Sequence, residues 1–156
     1  MKKKKVIAIV AHDNRKKDLI EWVAFNWQEF LAHSLVCTGT TGKLVLETIA
    51  ERCRANDVIP PGIQLLKSGP LGGDQQLGAL ISEGQVDMLI FFWDPMEPQP
   101  HDVDVKALLR ISALYNIPTA MNRSTADFMI SSRLFHLEYS PLLKDYSSYI
   151  KRDVEL

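Results

Sequence analysis

The residues of this chain best suited to chemistry gather in four short stretches. The first reads Ala11-His12-Asp13-Asn14-Arg15-Lys16 and the second Thr38-Gly39-Thr40-Thr41-Gly42-Lys43. The third runs from Ser68-Gly69-Pro70 through Gly72-Gly73-Asp74-Gln75-Gln76. The fourth holds Trp93-Asp94-Pro95 and, a little later, Pro100-His101-Asp102-Val103-Asp104. Glycines beside threonines at a helix start leave backbone N–H groups facing outward, with the positive end of the helix dipole behind them, which suits an anion. Thr40 and Thr41 add hydroxyl donors, although a threonine-capped helix with a tight turn has the same composition. The stretch is not a P-loop, which requires a glycine where Cys37 stands and Ser or Thr where Leu44 stands, and no dinucleotide fingerprint occurs. A compact phosphate fits this loop better than a nucleotide does.

Lys16 falls one turn into the helix that follows the first stretch, where its flexible stem reaches a phosphate or simply lies in solvent. His12, at the mouth of a strand, is either a donor to a ligand or a satisfied loop histidine. Asp74 follows two glycines at a helix start. It reads as a helix cap or as a general base brought to the cleft by that loop. In the fourth stretch Asp102 or Asp104 caps a helix; a metal set with His101 and Asp94 is conceivable, but the ligand spacing is weak and no metal is expected.

These stretches need elements to bring them together. Apolar runs at Val6–Val10, Leu35–Cys37, Ile63–Leu66, Met88–Trp93 and Pro118–Met121 read as strands. Most are continuous rather than alternating, as in strands covered on both faces. Helical patterns lie between them, at about 14–32, 41–54, 73–84, 103–116 and 125–132. Repeated strand–helix units imply right-handed crossovers and a parallel sheet. The expectation is one α/β domain over residues 1–156: a three-layer α/β/α sandwich on a doubly wound, mostly parallel, five-stranded sheet. Its core spans about 4–132, with a C-terminal helical tail at 133–156 that docks or meets another subunit. In such sheets ligands bind beyond the carboxyl ends of the strands, and all four polar stretches fall there.

Composition narrows the classes. Net charge is −1 and charged residues make up 24%, which gives no nucleic-acid footprint. Lys2 to Lys5 read as a solvated lead into the first strand. The apolar run behind them is shorter than an export signal needs and far below a membrane span. Cys37 and Cys53 show no metal or redox spacing. A cytoplasmic protein with no membrane or nucleic-acid partner is expected.

Taken in order, the segments resemble methylglyoxal synthase. The resemblance rests on Val10-Ala11-His12-Asp13, Thr38-Gly39-Thr40-Thr41-Gly42, Ser68-Gly69-Pro70 with Gly72-Gly73-Asp74-Gln75-Gln76, and Ile90-Phe91-Phe92-Trp93-Asp94-Pro95. Pro100-His101-Asp102, Asp104 to Arg110, Asn116-Ile117-Pro118 and Thr125-Ala126-Asp127-Phe128 extend it over about residues 6–132. The same fold also serves as an effector-binding domain in carbamoyl phosphate synthetases, but effector binding alone requires neither Asp74 nor the His101–Asp104 group.

The resemblance implies a lyase, without cofactor or metal, that converts dihydroxyacetone phosphate to methylglyoxal and inorganic phosphate through an enediolate. It implies Asp74 as catalytic base and His101 at the carbonyl oxygen and substrate, with Asp94 and Asp104 completing the acid–base setting. Lys16, Thr38, Gly39, Thr40, Thr41, Ser68 and Gly69 would bind phosphate, with His12 beside them. It further implies a homohexamer and allosteric inhibition by phosphate; an arginine expected near the C-terminus is represented by Arg152, one residue early. Elimination also demands that the carbon–oxygen bond to phosphate stand perpendicular to the enediolate plane. The phosphate loops are expected to set that torsion.

Overall fold

The computed structural model describes residues 1–96 and 102–150, so His101 and Arg152 lie outside the described residues. Five strands form one parallel sheet: β1 (Val6–Ala11), β2 (Ser34–Thr38), β3 (Ile63–Leu66), β4 (Met88–Phe92) and β5 (Thr119–Ala120). Their order is β3-β2-β1-β4-β5, with β1 paired to both β2 and β4. The chain winds outward from β1 to β3, then returns to place β4 on the other side of β1. The order therefore reverses between β1 and β4, and a crevice opens beyond their carboxyl ends.

Strand composition explains the layers. Along β1, Ile7, Ile9 and Ala11 face one apolar cluster, while Ala8 and Val10 face the other. Met88, Ile90 and Phe92 of β4 join the first cluster, and Leu89 and Phe91 the second. Side chains alternate across a strand, so a continuous apolar run demands cover on both faces. Helices α1 (Lys16–Phe25), α2 (Gly39–Ala55) and α5 (Arg123–Ser131) supply one cover, through Trp22, Val45 and Ala126 among others. Helices α3 (Gly73–Ser82) and α4 (Asp102–Leu114) supply the other, through Leu77, Ile81, Val105 and Leu108. This is the three-layer, doubly wound sheet expected from the sequence. Trp22 is fully buried, and its indole N–H donates to Asp127 Oδ1 at 2.7 Å, which satisfies the one polar group it carries inward.

The helix expected over 14–32 is divided. Residues Asp13–Arg15 form a single tight turn, and α1 ends at Phe25. Asn26 ends it, since both its backbone N–H and its side-chain amide donate to the Trp22 carbonyl, at 3.0 and 2.9 Å. That side chain competes with helix continuation, the ordinary behaviour of asparagine. A second tight turn, Trp27–Phe30, then buries Phe30 under the sheet. After α5 the chain makes a turn at Arg133–His136 and runs irregularly to a short helical turn at Ser147–Ile150. Among the described residues no helix is long and apolar enough to cross a membrane.

Candidate active site

β1 delivers His12 to the carboxyl edge of the sheet, and its backbone N–H pairs with the Phe92 carbonyl at 3.2 Å. The imidazole is buried, packs edge-on against Phe91 and accepts the Asp94 N–H on Nδ1 at 3.3 Å. The tight turn that follows points Asp13 back toward Lys16, whose Nζ lies 2.5 Å from Asp13 Oδ1 and also meets Thr40 Oγ1. The Lys16 ammonium beside Asp13, by hydrogen bond and by charge, holds that carboxyl below its usual range. Lys16 therefore links the start of α1 to the start of α2.

The turn from β2 into α2 is built around Gly39. Its φ is +46°, and a Cβ there would stand 2.7 Å from the Ser68 Cα, so a side chain fits neither the backbone nor the space. The Gly39 N–H donates to the Lys67 carbonyl at 3.1 Å, which ties this turn to the one after β3. Thr38 and Thr41 are buried, and the Thr41 hydroxyl donates to the Ala11 carbonyl at 3.3 Å. That hydroxyl proton is used inside the fold, so what Thr41 offers an anion is its backbone N–H at the start of a 17-residue helix.

After β3 the chain folds back on itself before α3. The Ser68 carbonyl accepts from Leu71 at 3.0 Å and Gly73 at 2.9 Å, and Gly72 takes a left-handed φ of 93°. Asp74 enters in the first turn of α3 and is buried at 6% exposure, well below what a solvated cap would show. At the end of β4, Asp94 is buried as well. Its Oδ1 accepts the Met96 N–H at 3.0 Å and its Oδ2 the Asn14 amide at 3.3 Å. The Met96 amide above all, with Asn14, Arg15 and His12 behind it and burial opposing, keeps the Asp94 carboxyl below its ordinary value.

These turns enclose a cavity of about 240 Å³ over the ends of β1, β2 and β3. His12, Lys16, Thr38, Gly39, Thr40, Thr41, Ser68, Gly69 and Asp74 all line it. One cation, a helix start and a buried carboxylate thus share a space of small-metabolite size. Among the described residues, no group of three or more His, Cys, Asp or Glu side chains is placed to hold a metal ion.

Comparison with known proteins decides the family. The model of the MGS-like domain matches residues 18–121. The methylglyoxal synthase of Maridesulfovibrio salexigens is 56% identical over 156 residues, covering 97% of this chain and 99% of that protein. That of Oleidesulfovibrio alaskensis is 55% identical over 152 residues and covers 97% of each. The chain belongs to the methylglyoxal synthase family. The crystal structure of methylglyoxal synthase from Elizabethkingia anophelis NUHP1 superimposes with a TM-score of 0.85 at 44% identity, covering 99% of this chain and 95% of that one.

Two of the residues expected from the methylglyoxal synthase resemblance stand apart from the cavity. Asp94 reaches it through His12 rather than lining it. Asp104 lines a neighbouring groove between α3 and α4, which Asp74 also borders, so Asp74 forms the wall between the two spaces. Asp13, Pro70, Val10 and Phe91 line the cavity although their residue types alone do not mark them as site residues. The signal for Asp13 was its position three residues before Lys16 at a strand end, which puts carboxylate and ammonium on one side of a turn.

Proposed function

We infer that this chain converts dihydroxyacetone phosphate to methylglyoxal and inorganic phosphate, and that the rim cavity carries the reaction. The observation that carries this reading is the sharing of one cavity by Lys16, the Gly39–Thr41 helix start and the buried Asp74. In this reading the phosphate sits on the α2 amides, Thr40, Ser68, Gly69 and Lys16. Charge-assisted hydrogen bonds from an ammonium and helix amides bind a phosphate dianion strongly.

Asp74 then removes a proton from the hydroxymethyl carbon, and negative charge develops on the carbonyl oxygen. His101 and its polar neighbours stabilise that oxygen, which is usually the larger catalytic contribution, while His12 stands beside the phosphate. The enediolate π electrons move toward the phosphate-bearing carbon, whose bond to oxygen breaks with the pair leaving on phosphate. The hydroxymethyl oxygen becomes the aldehyde oxygen as its proton departs, and the methylene left behind takes a proton to become the methyl group. Asp94 and Asp104 shape the electrostatics of these transfers. Anchoring the phosphate holds the reacting carbons where the base can reach them.

The chain is further proposed to act in the cytoplasm, in keeping with two free, buried cysteines, and as a homo-oligomer of hexameric size subject to phosphate inhibition. Exposed Phe25, Phe128 and Leu142 give such an assembly apolar surface to cover. The test is an assay with dihydroxyacetone phosphate in the presence of a chelator, following methylglyoxal and phosphate together. Equal release of both is expected. The Asp74→Asn variant is expected to lose turnover by about 100-fold or more, the scale of a general base. A folded protein that releases neither product overturns the reading; near-normal turnover in the variant returns Asp74 to a helix cap.

A further inference from the structure

The peptide groups of Lys67 are gripped on both sides. Its N–H donates to Oε1 of Gln76 at 2.9 Å, and its carbonyl accepts the Gly39 N–H at 3.1 Å. A Cβ on Gly73 would lie 2.0 Å from that same carbonyl oxygen, so the first turn of α3 is pressed directly against it. Three pieces of the cavity wall meet at this point: the turn with Gly39 and Thr40, the turn with Ser68 and Gly69, and the start of α3 with Asp74. Gln76 is exposed, as a glutamine on the second turn of a helix ordinarily is. Yet its carbonyl oxygen is fixed on a backbone N–H nine residues earlier rather than left to water.

We propose that Gln76 is a positioning residue that holds the phosphate-binding turns in a fixed relation to Asp74, and so sets how much enediolate expels phosphate rather than taking its proton back. This rests on the reading of Asp74 as base and of those turns as phosphate cradle. The base helix fixes the plane of the enediolate, because Asp74 addresses one face of the hydroxymethyl carbon. The turns fix the phosphate. The torsion between that plane and the carbon–oxygen bond is therefore a property of how the two bodies sit relative to each other.

Elimination needs the bond close to perpendicular, where the π electrons overlap its antibonding orbital. A bond in the plane leaves reprotonation as the faster fate. The arm from reacting carbon to phosphorus is short, so a slip of about 1 Å at the phosphate turns the torsion by tens of degrees and costs rate steeply. Gln76 lies outside the cavity lining, so replacing it removes no group that faces the substrate and Asp74 itself is retained.

The experiment compares the wild type with Gln76→Met, which keeps length and loses the acceptor, and Gln76→Glu, which keeps the acceptor. Each is given dihydroxyacetone phosphate in deuterium oxide. Methylglyoxal release and deuterium entering the hydroxymethyl carbon of recovered substrate are followed together. The ratio of release to exchange is expected to fall about tenfold in Gln76→Met, a change of about 1.4 kcal/mol in the partition. Gln76→Glu restores the ratio even where its charge raises KM. Gln76→Asn, too short to span the gap, supplies the same comparison if the Met variant does not fold. An unchanged ratio in the variant that loses the contact to Lys67, whatever its kcat, overturns the proposal, as does failure of Gln76→Glu to restore it. A wild type that shows neither release nor exchange overturns instead the underlying reading of the site.

Discussion

The backbone N–H of Asp94 donates to Nδ1 of His12 at 3.3 Å, across the gap between β4 and β1 where the strand order reverses. A neutral imidazole that accepts on Nδ1 carries its proton on Nε2, so the protein fixes His12 as a donor. Asp94 does this with its main chain. Its carboxylate is meanwhile occupied by the Met96 amide and by Asn14. A donor at the cavity edge suits phosphate or carbonyl oxygen, and a carboxylate pinned in this way cannot swing in to compete for the same ligand.

His12→Asn keeps an amide oxygen close to the Nδ1 position and removes the Nε2 donor. It is expected to raise KM for dihydroxyacetone phosphate on the order of tenfold, the value of one hydrogen bond to a charged group, with little change in melting temperature. Steady-state kinetics beside a thermal melt check it. An unchanged KM takes His12 out of substrate binding.

Lys16 joins Asp13 to Thr40 at the cavity wall. Lys16→Met removes the full positive charge that lines the cavity and is expected to weaken binding of inorganic phosphate by about tenfold or more. Titration calorimetry measures it. Lys16→Arg recovers part of the loss at most, because a planar fork does not take the place of a compact ammonium between two oxygens. Equal phosphate affinity in Lys16→Met and wild type contradicts the assignment.

Two glycines of α3 differ in opposite directions. An added Cβ at Gly73 would overlap the Lys67 carbonyl oxygen at 2.0 Å, whereas at Gly78 nothing lies within 4 Å. Gly73→Ala is expected to cost about 1–3 kcal/mol through forced backbone shifts. Gly78→Ala, in an uncrowded helix interior, is expected to gain up to about 1 kcal/mol. Urea unfolding of both variants decides this, and equal midpoints would falsify it.

The sheet was legible because β1 and β4 are continuous apolar runs, which have no stable place except between two layers. The cavity was legible because the first three polar stretches follow β1, β2 and β3 closely, and a parallel sheet sends such stretches to one edge. Other features left no trace in residue type. Asn26 stops α1 by bonding back to Trp22, in a segment whose apolar spacing continues to Leu31. Gln76 meets a backbone N–H, a contact that any reachable acceptor satisfies and that no motif announces. Asp104 shares a helix with apolar positions that pack inward, and only the packing of α3 on α4 shows that it faces the far side of Asp74. Gly73 looks like a flexible hinge in the sequence, whereas the structure uses it for close approach to Lys67.

On the opposite rim, where the strands begin, His33 is buried at 2% exposure. Its Nδ1 accepts the Lys5 N–H at 3.2 Å, and its ring packs edge-on against Phe135 and stacks loosely on His136. Burial above all, with Lys5, His136 and Lys4 adding and Asp87 opposing, pushes its pKa from 6.5 down to about 4. The unfolded chain therefore binds a proton at this residue that the folded chain refuses. Stability from the neutral ring is complete above pH about 6.5 and is lost as pH falls from there through about 4. The loss is on the order of 3 kcal/mol, since each tenfold difference in proton affinity between the two states is worth about 1.4 kcal/mol. Carboxylates titrate in the lower part of this window too, so the comparison with His33→Gln isolates the histidine. Urea midpoints of the wild type are expected to fall more steeply between pH 6.5 and 4 than those of His33→Gln, while activity at neutral pH is little changed because the ring lies at the opposite end of the strands from the cavity. Parallel curves for the two proteins would mean that the buried imidazole takes up its proton without leaving the fold.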